Sequence, residues 1–173
     1  MKRLLPILSV AALLALAAAA HAADPAPGNW LVVDARNHAN GAKWPVALVR
    51  GVAEERGTRR PASLRVDGRE GRTIVRVDTD GLAFGRAALE VRQSLDGGRF
   101  VAGPWQADAD GSVLALLGDQ AIAFLAELSG RSELRLAVVR PLSVPFVLTF
   151  RVGGAEKALR PLADRAAISE AKP

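Results

Sequence analysis

The chain has 173 residues, half of them hydrophobic, with 23 Lys+Arg against 18 Asp+Glu and a formal net charge of +5. So small an excess is no nucleic-acid footprint, and about 150 residues beyond a leader suffice for one domain with its own core. No cysteine occurs, which excludes disulfide staples, thiolate metal sites and a lipid anchor on cysteine.

Residues 1–22, MKRLLPILSVAALLALAAAAHA, join basic Lys2 and Arg3 to an uncharged Leu/Ala run ending in Ala20-His21-Ala22. This is the pattern of a signal peptide cut before Ala23. The apolar run is short for a membrane span and no second one follows, so no span is expected after cleavage. Loss of Lys2 and Arg3 lowers the net charge to +3, and export places the chain in the periplasm. Residues 23–29, with Pro25 and Pro27, form a flexible lead-in, residues 30–165 a single β-rich domain, and 166–173 a tail.

From Trp30 onward, alternation of period two predicts half-buried strands. Leu64 and Val66 alternate with Arg65 and Asp67, Val75 and Val77 with Arg76 and Asp78, and Leu89 and Val91 with Glu90 and Arg92. Leu134, Leu136 and Val138, then Phe146, Leu148, Phe150 and Val152, complete the set. WLVVDA and PVALVRGVA are more continuously apolar, as in strands covered on both faces. Asp67-Gly68, Asp80-Gly81, Asp96-Gly97-Gly98 and Asp110-Gly111 offer turn chemistry for antiparallel pairing. In DQAIAFLAELSG, Ala121, Phe124, Leu125 and Leu128 share a helix face, with Asp119 placed to cap it and Gly130 to end it. A second helix in GAEKALRPLADR should be short or kinked, because Pro161 lacks the amide for the carbonyl of residue 157. The expected fold is mainly β, an antiparallel sandwich or partly closed barrel with two short α-helices packed on it.

Few stretches look chemical. WQADADGSVLA sets Asp108 and Asp110 beside Gly111, but a calcium loop counted from Asp108 has glycine at position 4 instead of 6 and Asp119 where a bidentate Glu belongs. A hairpin turn is the expectation, with no metal and no cofactor. His38 is the one histidine left after cleavage, in a polar loop with no serine elbow in the chain, and the Asp78/Asp80 and Asp108/Asp110 pairs are common turn residues. No enzyme is expected. Arg65, Arg76, Arg92, Arg135 and Arg151 hold the polar phase of their strands, where they could align toward an anionic surface. An ordinary solvated face, neutralised by Asp67, Asp78, Glu90 and Glu133, is the reading preferred.

The ordered pieces GNWLVV, ASLRVDGREGRTIVRVD, ALEVRQSLDGG, WQADADGSVLAL, LRLAVVRP and FVLTFRVGGAEKALRPLA resemble the exported proteins grouped around the invasion-associated locus B family. They are similar also to the accessory periplasmic proteins of type VI secretion loci. The resemblance rests on Trp30, on Trp105 and Asp110, and on a closing run of F, G and A-L residues at Phe150, Gly153 or Gly154, Ala158 and Leu159. It departs at Asp108, where serine is common, and in lacking the cysteines many members carry. It implies a β-rich periplasmic domain with no established catalytic residues to carry over. The expected function is non-catalytic, through contact with another envelope protein, as an accessory of secretion or of host interaction. The alternative is a domain binding a small or anionic envelope ligand, whose identity the sequence leaves unknown.

Overall fold

The computed structural model describes residues 28–36, 41–69, 72–85, 89–141 and 143–170, so the leader, His38 and the last three residues of the tail lie outside the described residues. Its strands are β1 (Trp30–Arg36), β2 (Lys43–Glu55), β3 (Thr58–Arg69), β4 (Arg72–Thr79), β5 (Glu90–Leu95), β6 (Val101–Ala102), β7 (Gln106–Ala107), β8 (Val113–Leu117), β9 (Glu133–Val139) and β10 (Phe146–Arg151). Helix α1 (Asp119–Leu128) joins β8 to β9, and α2 (Ala155–Glu170) follows β10. All belong to one antiparallel sheet in the order β6-β5-β9-β10-β2-β3-β4-β8-β7, with β1 joined to β2 beside this path. The sheet curves into a half-barrel. Of the two expected architectures, it is the partly closed barrel.

Strand β2 organises the sheet, because one of its edges is divided between two partners. Residues 43–49 pair with β1 and residues 51–54 with β10, while the other edge carries β3. Gly51 sits at the division, where a Cβ would lie 2.3 Å from Cδ1 of Phe150 and 2.4 Å from the carbonyl oxygen of Thr149. Only glycine leaves room for the crossing chain.

The inner face carries the core. Ala47, Val49, Leu64, Val66, Val75, Val77, Leu134, Leu136, Val138, Phe146, Leu148 and Phe150 are buried, and Phe124 and Leu128 of α1 join them. These residues hold one parity of each strand, so the alternation in sequence translates directly into an inner and an outer face.

Four local expectations change. Asp67-Gly68 is not a turn but lies inside β3, opposite Ile74 and Thr73 of β4. The β2–β3 turn, at the other end of β3, is made by Arg56 and Gly57, with φ of 50° and 77°, the two left-handed positions of a tight hairpin. Asp119 is the first residue of α1 rather than its cap; Gly118, at φ 56°, holds the cap position with no side-chain cap bond. Helix α2 is not short: it spans 16 residues with Pro161 inside and takes in most of the expected tail. One missing amide removes a single backbone bond, and the Ala- and Leu-containing turns on either side carry the helix past it. The fourth change concerns β1, which is largely exposed rather than covered on both faces.

Candidate functional site

Strand β1 is fixed at its start. The Gly28 amide donates to the Gly153 carbonyl at 2.6 Å, and Trp30 Nε1 donates to the Val152 carbonyl at 3.1 Å, so the strand begins where β10 ends. Beyond this anchor it runs out of cover. Leu31, Val32 and Val33 are 54%, 40% and 44% exposed, and among the described residues β1 pairs only with β2. Three consecutive apolar side chains thus stand on both faces of a strand whose outer edge offers backbone N–H and C=O groups.

A groove of about 570 Å³ opens on the inner side of the half-barrel, between α1 and α2. Val66, Gly68 and Thr73 form its floor, Leu125 and Ala126 one wall, and Leu159 and Leu162 the other. Gly68 keeps the floor open; a Cβ there would find only ordinary contact with Leu162 at 3.8 Å. At the rim the Ser129 hydroxyl donates to Glu156, tying the end of α1 to the start of α2. The volume falls in the range of small-molecule sites, and the lining is mostly apolar.

The five arginines singled out in the sequence all hold the outward parity of the one sheet, between core residues of their own strands. They fall in two groups separated by β2. Arg65 and Arg76 face each other across β3 and β4, a repulsive placement relieved by one shared carboxylate. Arg65 donates from Nε and Nη2 to Asp67 Oδ1 at 3.0 and 2.9 Å, and Arg76 Nη1 reaches Oδ2 at 3.4 Å. Asp67, held by both guanidiniums, is only 3% exposed. On the other group, Arg92 bonds Glu90 at 2.6 Å, Arg135 lies 5.5 Å over the Phe100 ring, and Arg151 stands opposite Glu133 in the ladder. Four of the five are therefore already engaged, and Asp78 is taken by the Ser63 hydroxyl at 2.9 Å rather than by an arginine.

The acidic stretch after Trp105 is a turn between β7 and β8. Asp108 accepts from the Ser112 amide at 2.8 Å, the Val113 amide at 3.1 Å and the Ser112 hydroxyl at 3.2 Å, while Asp110 accepts from the Ser112 amide at 3.0 Å. Gly111 takes φ 74°, and its carbonyl receives the amides of Phe84 and Gly85 at 2.7 and 3.2 Å. Trp105 lies just before β7, buried, with its ring edge-on to Phe124 at 5.1 Å. Its Nε1 donates to Gln93 Oε1 at 3.1 Å, and Gln93 Nε2 donates in turn to Glu127 of α1 at 3.2 Å. Of the closing motif, Phe150 is core, Gly154 turns the chain into α2 at φ 80°, and Leu159 reaches the groove.

The β1 surface and the groove are not legible in the sequence. Neither leaves a sequence signal: an apolar triplet reads alike on a covered and an uncovered strand, and the groove residues share ordinary core periodicity. No described helix is long and apolar enough to cross a membrane.

No family model matches the chain, and no curated protein does. Among solved structures it is similar to invasion associated protein B from Bartonella henselae, with 16% identity over 82% of this chain and 96% of that one, and a TM-score of 0.54. At that identity the likeness is one of fold.

Proposed function

We propose that the chain is an exported, non-catalytic protein that works by protein contact, with β1 as its contact surface. The observation that carries this reading is the exposed Leu31-Val32-Val33 triplet on an edge strand, apolar surface of the kind that protein partners cover. A host-interaction role draws support from the shared fold with an invasion associated protein; a secretion-system accessory is the finer version of the same idea. Export rests on the leader, and the mature protein recovered from a periplasmic extract should begin at Ala23.

The test is site-specific photo-crosslinking in the exporting cell. A photoreactive residue at position 31 or 33 should give a discrete protein adduct, and one at Ala126, in the groove, should not. Adducts from some other face, with none from β1, would overturn the reading.

The groove favours a second reading, a binding domain for a small envelope ligand. Its apolar lining and volume of about 570 Å³ suit a compact apolar molecule. Protein purified from its native envelope would then carry a ligand visible by native mass spectrometry. Gly68→Leu, which fills the floor, would abolish that retention.

A further inference from the structure

We infer that the partner fitted to β1 is a second copy of this chain, joined antiparallel about a two-fold axis at Val32 so that the two half-barrel sheets continue into each other. The inference rests on the reading of β1 as a contact surface and adds the identity of what it meets.

Residues facing each other across an antiparallel pair lie on the same face of the sheet, so a strand paired with its own copy can be centred only on a residue. The described span of β1 leaves few centres. Centred on Val32, Leu31 meets Val33 of the second copy, Val32 meets Val32, and Val33 meets Leu31, covering all three exposed apolar side chains at once. Centred on Val33, each Val32 faces an Asp34; centred on Asp34, two carboxylates face each other. Centred on Ala35, Asp34 meets Arg36 but Leu31 and Val32 stay uncovered. Centred on Leu31, Val33 faces Asn29, so only the axis at Val32 matches the exposed triplet with itself.

The rest of the sheet fits a closed pair. The two ends of the strand path, β6 and β7, are two-residue strands. Short edges resist further pairing, so β1 is the one long free edge among the described residues, and an isologous contact through it ends at two copies. A single strand pair is small beside a standard interface, so the expected behaviour is a concentration-dependent monomer–dimer equilibrium.

The chain contains no cysteine, so an introduced thiol reports on its own position alone. Purified from the exporting host and oxidised with copper phenanthroline, Val32→Cys should form a disulfide-linked dimer, because directly opposed Cβ atoms lie about 4.5–5.5 Å apart. Leu31→Cys and Val33→Cys should each cross-link at least ~10-fold less alone, about 7–8 Å out of register, and regain the yield when mixed. Val32→Arg, which opposes two guanidiniums across the axis, should shift sedimentation equilibrium to monomer while keeping the thermal midpoint that the wild type shows when diluted to monomer. Equal cross-linking at all three positions, no cross-linking at 32, or unaltered self-association of Val32→Arg would overturn the dimer. A monomer by sedimentation whose β1 still gives a foreign-protein adduct would sink the dimer and leave the contact reading standing; loss of both would remove the two together.

Discussion

Trp105 holds three elements together through one ring. Edge-on packing against Phe124 fastens α1 over the sheet, and the Nε1–Gln93–Glu127 chain fixes the same helix from a second side. Trp105→Ala should cost about 3–5 kcal/mol, seen as a much lower denaturation midpoint. Trp105→Phe keeps most of the packing but strands the Gln93 carbonyl, a loss of about 1–3 kcal/mol; equal midpoints for the two variants would show that the hydrogen bond carries the effect. Asp96 makes a pH-dependent contribution. The Ser132 hydroxyl foremost, with the Glu133 and Ser132 amides and Arg131, holds its carboxyl below the usual range against the opposing effect of desolvation. Because the folded value is depressed, this stability is present above the unfolded carboxylate pKa of about 4 and is lost as pH falls through the lower folded value. Asp96→Asn should therefore flatten the acid limb of a midpoint-versus-pH curve and leave its alkaline side parallel to wild type. The Trp105–Phe124 contact is legible in sequence from the helix periodicity that presents Phe124 and Leu128. Gln93 is not, since its partners lie 12 and 34 residues away and nothing local marks an inward-facing glutamine.

At the scale of elements, the turns separate what is local from what is not. Gly111 is readable as a turn residue, and the fold demands it twice: φ is 74°, and a Cβ would stand 2.7 Å from the Gly85 carbonyl carbon. Gly111→Ala should lower the denaturation midpoint by more than the ~1 kcal/mol usual for placing a side chain in that conformation. Asp67-Gly68 carries the same signature yet lies within the paired end of β3, where Arg65 and Arg76 share Asp67 as their common carboxylate. Helix α2 shows the opposite balance. Pro161 reads as a breaker, but it removes one bond in a helix anchored by buried Ala155, Ala158 and Leu162. Pro161→Ala restores that amide, and its propensity gain, up to ~3 kcal/mol, should raise the thermal midpoint; a fall would mean the ring itself packs at that position.

One core cluster runs from β1 through every major strand to both helices. A molecule built this way should unfold as a single unit, so tryptophan fluorescence and far-ultraviolet circular dichroism should give coincident denaturation curves. Separated transitions would divide the half-barrel into independent parts. By itself the sequence determined the strands, their inner parity, the existence of both helices and the expectation of a single β-rich domain, because alternation of period two and apolar spacing at i, i+3 and i+4 are set by backbone geometry within each segment. Only the tertiary structure decided which face of a continuously apolar strand is covered, that Asp67-Gly68 among the four Asp-Gly pairs lies within a strand, and that five separated arginines share one outward face. Those outcomes depend on strand order. Beta1 lies beside β2 with no neighbour on its other edge among the described residues, and no property of Leu31, Val32 or Val33 taken alone says whether a neighbouring strand will arrive to cover them.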